Sequence, residues 1–149
     1  MPIQVAEARA RVEALRASFG GRASGLWVMD HENRRLRQVV FAPAPDLPAE
    51  VASTFANATR SVPLDRLDLG IVRAVADREP AVSVAEHLPA DSGSGRWLRA
   101  FGAKRSVAVP LIDGEGIVQA VLSVALPEHP AEDSTVAALV RDQGAPFCS

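Results

Sequence analysis

The chain holds one cysteine, Cys148, one lysine, Lys104, no tyrosine and no long apolar run. A single cysteine excludes an internal disulfide and a cysteine-based zinc cluster. Its place in the tail gives it no fixed base, so a thiol nucleophile is not expected there. No stretch approaches the roughly 20 apolar residues that a membrane helix needs. The amphipathic N-terminal segment is charged throughout, unlike a signal peptide. No membrane partner is therefore expected, and the chain is expected in the cytoplasm. The formal net charge of −2 supplies no field for nucleic acid. The one basic cluster, Arg34, Arg35 and Arg37, lacks the breadth and stacking aromatics of such a surface and reads as a solvated strand end. The near-absence of lysine beside abundant Arg and Ala reflects a GC-rich bacterial genome and says nothing of function.

What is present is ordinary globular material. The 149 residues are 48% hydrophobic and 23% charged, which suits one domain over 1–149. A chain of this size buries roughly 70% of its unfolded surface and needs no metal or disulfide staple.

Periodicity gives the elements. Val5, Ala8, Val12, Leu15 and Phe19 recur at helical spacing in a narrow stripe that ends at Gly20-Gly21. That stripe suits packing on the chain's own domain or on a second copy; left wet, it predicts a homodimer through the terminal helices. Gly25 to Met29 is apolar on both faces and reads as a central strand, returning through a polar turn as Leu36 to Phe41. Pro48 opens a helix with Val51 and Phe55 on one face. Pro63 marks an edge strand. Asp68 is a candidate N-cap for a helix holding Ile71, Val72 and Val75, followed by a short strand over 81–84. Ser94 is placed to cap a short helix that Gly102 closes. Arg105 to Ile112 and Ile117 to Leu126 form a hairpin around Asp113-Gly114-Glu115-Gly116. A last helix, from about Ala131 to Gln143, is expected to bury Val136, Leu139 and Val140. Hairpins between end helices make this an α+β chain with a mostly antiparallel sheet.

Three segments carry a family resemblance. The first runs Val62-Pro63-Leu64-Asp65, Leu69 to Val75 and Arg78 to Val82. The second is Leu98 to Leu111, a short helix entering a strand that ends in Pro-Leu. The third is the glycine turn and last strand, Gly116 to Val124. In this order they resemble the GAF domain. The resemblance covers roughly Val5 to Gln143 and implies a GAF/PAS-like sheet of about six strands flanked by helices, with the N- and C-terminal helices packed together. It implies a non-catalytic sensory role. Many family members have Gly where this chain has Ala120. The bilin-attaching cysteine, the three cysteines of the free methionine sulfoxide reductase branch and the Asn-Lys-Phe-Asp-Glu motif of the cyclic-nucleotide-binding members have no counterpart here. The resemblance therefore names no cofactor and leaves the small molecule unidentified.

The candidate ligand-binding residues cluster around one loop. Glu86 to Gly95 is polar, irregular and rich in Gly and Ser, so it is expected to move as a lid. Ser94 and Arg96 can hold an anionic edge there. Trp97 and Phe101, one helical turn apart, can roof a cavity over the sheet near Ser106, or can be plain core against Val107 and Val109. In some sensory members of the family a pocket histidine holds haem, and His87 is the candidate for such a role here. Without a partner His or Cys it reads more simply as a solvated loop residue. No nucleophile stands beside a base, and Gly93-Ser94-Gly95 is not a nucleophile elbow. The function expected is a sensory ligand-binding module signalling through a separate protein. The alternative is a dimerisation or interaction module whose pocket is filled by its own side chains, and cavity volume separates the two.

Overall fold

Helix α1 (Val5–Ser18) turns Ala8, Val12 and Leu15 toward the sheet, as their spacing dictates. The computed structural model describes residues 4–148. Strand β1 (Ala23–Asp30) and strand β2 (Arg35–Pro43) form a hairpin, and Arg34 in its turn adopts a left-handed conformation with φ +54°. Helix α2 (Ala49–Ala58) follows, then the short strand β3 (Ser61–Pro63) and helix α3 (Gly70–Asp77). Strand β4 (Ala81–Val84) leads through a single 3₁₀ turn to helix α4 (Gly93–Phe101). Strands β5 (Arg105–Ile112) and β6 (Val118–Leu126) form the second hairpin, and helix α5 (Asp133–Gly144) is followed by a 3₁₀ turn over Ala145–Phe147.

The sheet runs β3-β2-β1-β6-β5-β4, with every neighbouring pair antiparallel. The expected α+β class and element order are both present. The strand read as central, β1, lies inside the sheet between β2 and β6. Pro63 sits on an edge strand, where its missing N–H costs no ladder bond. Helices α1 and α5 pack on one face with each other, while α2, α3 and α4 cover the opposite face.

Four local readings change. The α1 stripe is not wet: Val12, Leu15 and Phe19 pack into the core formed with Leu26, Leu122 and Val124 of the chain's own sheet, leaving only Val5 exposed. On α5, Val136, Ala137 and Val140 are buried, but Leu139 points outward and is 47% exposed. Asp68 does not cap α3, whose N-cap is Leu69 with no side-chain cap of its own. Trp97 does not touch Val107 or Val109, because those two side chains face α1 and α5 on the far side of the sheet.

Candidate functional site

The central strands sort their side chains by size. Toward α1 and α5 they present Leu26, Val107, Val109, Leu122, Val124 and Leu126. Toward α2, α3 and α4 they present mostly small residues: Ala23 and Gly25 from β1, Ser106 and Ala108 from β5, Ser123 and Ala125 from β6. A floor of small residues leaves depth, and aromatic rings occupy it. Phe55 of α2 stands edge-on to Trp97 and Phe101 of α4, with centroids 5.1 Å and 5.0 Å away. Phe41 of β2 lies 4.9 Å from Phe55. Trp27 folds its indole back over Gly25, where a Cβ would sit 2.5 Å from the ring. The Trp27 Nε1 donates to the Thr59 carbonyl at 2.8 Å, so its polar atom is satisfied in the core.

Between floor and rings remains a cavity of about 60 Å³. Its wall is apolar except for hydroxyls, among them those of Ser94, Ser106 and Ser123. A wider groove of about 670 Å³ lies at the end of the sheet beside Arg99, Lys104, Arg105 and His129. Two of its cations are already committed: Arg105 pairs with Asp133 and donates to the His129 and Ala131 carbonyls, and Arg99 binds carbonyls of the 85–95 segment. The apolar cavity over the sheet is therefore the better candidate site, despite its smaller volume.

Of the residues predicted from sequence, Trp97, Phe101, Ser94 and Ser106 meet at this cavity. Arg96 and His87 do not line it. Arg96 is exposed and lays its guanidinium over the neighbouring Trp97 ring, 5.1 Å from the centroid. His87 faces solvent beside Glu86, 3.9 Å from the carboxylate. The loop that carries His87 is strapped down: Arg99 donates to the carbonyls of Ala85 and Leu88, and Ser92 Oγ donates to that of Pro89 at 2.9 Å.

Ser94 has a role its sequence position does not announce. The helix it belongs to starts one residue earlier, and its hydroxyl instead accepts the Gly70 N–H at 2.9 Å, capping α3 from across space. Asp68 accepts a two-pronged contact from Arg66 at 2.9 Å, and that guanidinium, followed by the Gly93 amide among weaker contributors, holds its carboxyl below the usual range. Further along α3, Arg73 donates to the Ser83 hydroxyl.

Sequence reading missed Phe41, Phe55, Gly25 and Ser123 as cavity residues, and Arg73 beside them. The signal for the floor was present as period-two small residues, Ala23/Gly25, Ser106/Ala108 and Ser123/Ala125. The signal for Arg73 was a charge inside the apolar run Ile71-Val72-Arg73-Ala74-Val75. Among the described residues, no group of three or more His, Cys, Asp or Glu side chains is placed to hold a metal ion.

No protein-family model matches the sequence, and no curated protein matches it. Solved structures do. The GAF domain/HD domain protein from Geobacter sulfurreducens superposes with a TM-score of 0.69 at 16% identity, over 95% of this chain and 87% of that one. The phycocyanobilin-bound GAF domain from a cyanobacterial phytochrome gives 0.63 at 16% identity, over 97% and 84%. The fold is GAF-like. Free methionine-R-sulfoxide reductase from Neisseria meningitidis, in complex with its substrate, shares the GAF-like architecture with a TM-score of 0.64 at 18% identity, over 93% of this chain and 72% of that one. At such identities the likeness fixes the GAF-like architecture and leaves ligand and partner to this chain's own residues. No helix among the described residues is long and apolar enough to cross a membrane.

Proposed function

We propose that this chain is a one-domain sensory module in which a small, mostly apolar molecule occupies the cavity over the sheet and a separate signalling protein reads the result. One observation carries the reading: small residues on three adjacent strands form a recess covered by side chains from α2, α4 and the start of α3. Phe55 belongs to α2, Trp97 and Phe101 to α4. A ligand that takes their place on the floor moves both helices, and its differential affinity for that arrangement is the signal. No catalytic step is assigned to the site.

A second reading has its own support. A cavity of about 60 Å³ has room for roughly two waters, against the several hundred Å³ of a typical ligand pocket. The aromatic cluster would then be the permanent filling of an interaction module. Val5 on α1 and Leu139 on α5, both about half exposed, would be candidates for contact with a second copy or a partner.

Filling the floor separates the two. Ala108 is buried on the cavity wall, so Ala108→Val takes up the space a ligand would use. A thermal-shift screen of small apolar compounds should give hits on the natural chain that Ala108→Val abolishes. A screen without hits, together with a higher Tm for Ala108→Val, would establish the self-filled reading instead.

A further inference from the structure

We propose that the cavity takes a carboxylate, held at its edge by Arg73 with the hydroxyls of Ser83 and Ser94, so that the ligand is a small monocarboxylic acid with an apolar body. The inference rests on the ligand-binding reading above and specifies the chemistry of the ligand's polar end.

Arg73 is the fourth residue of α3 and is half-buried. Its side chain makes one hydrogen bond among the described residues, to the Ser83 hydroxyl, and no carboxylate stands within ion-pair distance. A guanidinium offers five N–H donors in a planar fork, so most of its capacity is unspent on protein. The neighbouring carboxylate, Asp68, is engaged by Arg66. Other guanidinia in the fold are committed: Arg16 to Glu13, Arg22 to Asp46, Arg37 to Asp30, Arg105 to Asp133. A partly desolvated charge with no counter-ion is the arrangement that an anion completes.

Gly70 brings this charge close to the cavity wall. A Cβ on Gly70 would lie 3.0 Å from Ser83 Oγ, 3.5 Å from Arg73 Nη2 and 3.8 Å from Ser94 Oγ. The missing side chain thus lets three polar groups converge closely on Gly70. Gly70 and Ser94 both line the cavity. Ser83, itself 1% exposed, is the direct cross-strand partner of Ser106, which also lines it. The apolar part of a ligand on the Ala108 and Ala125 floor thereby has a polar cluster beside it, whose guanidinium can take a carboxylate in two-pronged fashion.

The test compares butyrate and benzoate with butyramide and benzamide, which have nearly the same shape and no charge. Binding to the full chain is followed by chemical-shift titration. The acids should bind at least roughly tenfold more tightly than the amides, and Arg73→Met should remove that preference. Gly70→Ala, which keeps the arginine but crowds Ser83 and Arg73, should reduce the ratio of acid to amide affinity. A retained circular-dichroism spectrum and melting transition in either variant guards against misreading a folding defect. Acids and amides binding equally well, or an acid preference that survives both substitutions, would overturn the carboxylate assignment and leave the cavity reading intact. If neither class binds and xenon or benzene also fails to enter the cavity, both fall together.

Discussion

The Ser94 hydroxyl accepts the Gly70 amide proton at 2.9 Å, so the first turn of α3 is capped by a residue of α4. Helix starts carry amide protons without intrahelical acceptors, and a side-chain oxygen that meets one is worth about 1 kcal/mol. Here the cap is nearly buried and joins two helices on the cavity side of the sheet. Ser94→Ala is expected to destabilise the chain by roughly 1–2 kcal/mol in urea unfolding. Hydrogen exchange should quicken at the start of α3. Unchanged exchange there would show that the contact contributes nothing.

Val12 and Leu15 sit at 0% and 1% exposure against the sheet. Sequence alone permits these positions to face a second copy, in which case acidic substitutions would release a folded monomer. The packing dictates the opposite. Each side chain contributes about 1.5–3 kcal/mol by burial, and a carboxylate in its place is left unpaired in an apolar core. Val12→Glu with Leu15→Glu should abolish cooperative unfolding. A folded double variant with a native melting profile would contradict the assigned face of α1.

Arg78 ends α3 in the left-handed region at φ +56°, where a side chain is disfavoured and glycine is not. Arg78→Gly should stabilise by about 1 kcal/mol, less what is lost with its hydrogen bond to the Gly116 carbonyl. Arg78→Val, β-branched at the same conformation, should destabilise by a similar amount or more. Midpoints of chemical unfolding that moved in the same direction for both variants would rule out backbone strain as the cause.

Asp30 closes the first hairpin turn. The Asn33 side chain, then its backbone amide, then Arg37 hold the Asp30 carboxyl down to about 2. The sign follows from linkage. The folded value lies below that of the unfolded chain, about 3.9. The contribution is therefore complete above pH 4 or so and is lost as pH falls toward and through 2. A carbon-detected titration should place the Asp30 midpoint near 2, and Asn33→Ala should raise it toward the free value. A midpoint near 4 in the natural chain would show that the turn contacts do not form in solution.

Element order and sheet class were legible because they depend on periodicities that lie wholly within the chain. The alternation through β6 and the helical stripe of α1 identify a strand and a helix wherever they come to rest. Part of the site was legible for the same reason. Trp97 and Phe101, four residues apart, must share a helix face, and Ser106 two residues before Ala108 must share its strand face.

Which of those faces meet was decided only by tertiary structure. Phe55 and Trp97 are far apart in sequence and stand 5.1 Å apart because α2 and α4 cover the same side of the sheet. Ser94 reads as a cap for its own helix and caps another, since capping needs only an oxygen near an amide and not a neighbouring residue number. Arg96 reads from sequence as the anion holder but stacks on Trp97 at the surface, while Arg73, with no motif around it, lies near Gly70 of the cavity wall. Local sequence sets how a side chain leaves its own element. Only the packing of elements sets what it meets, and charge, volume and exposure follow from that meeting.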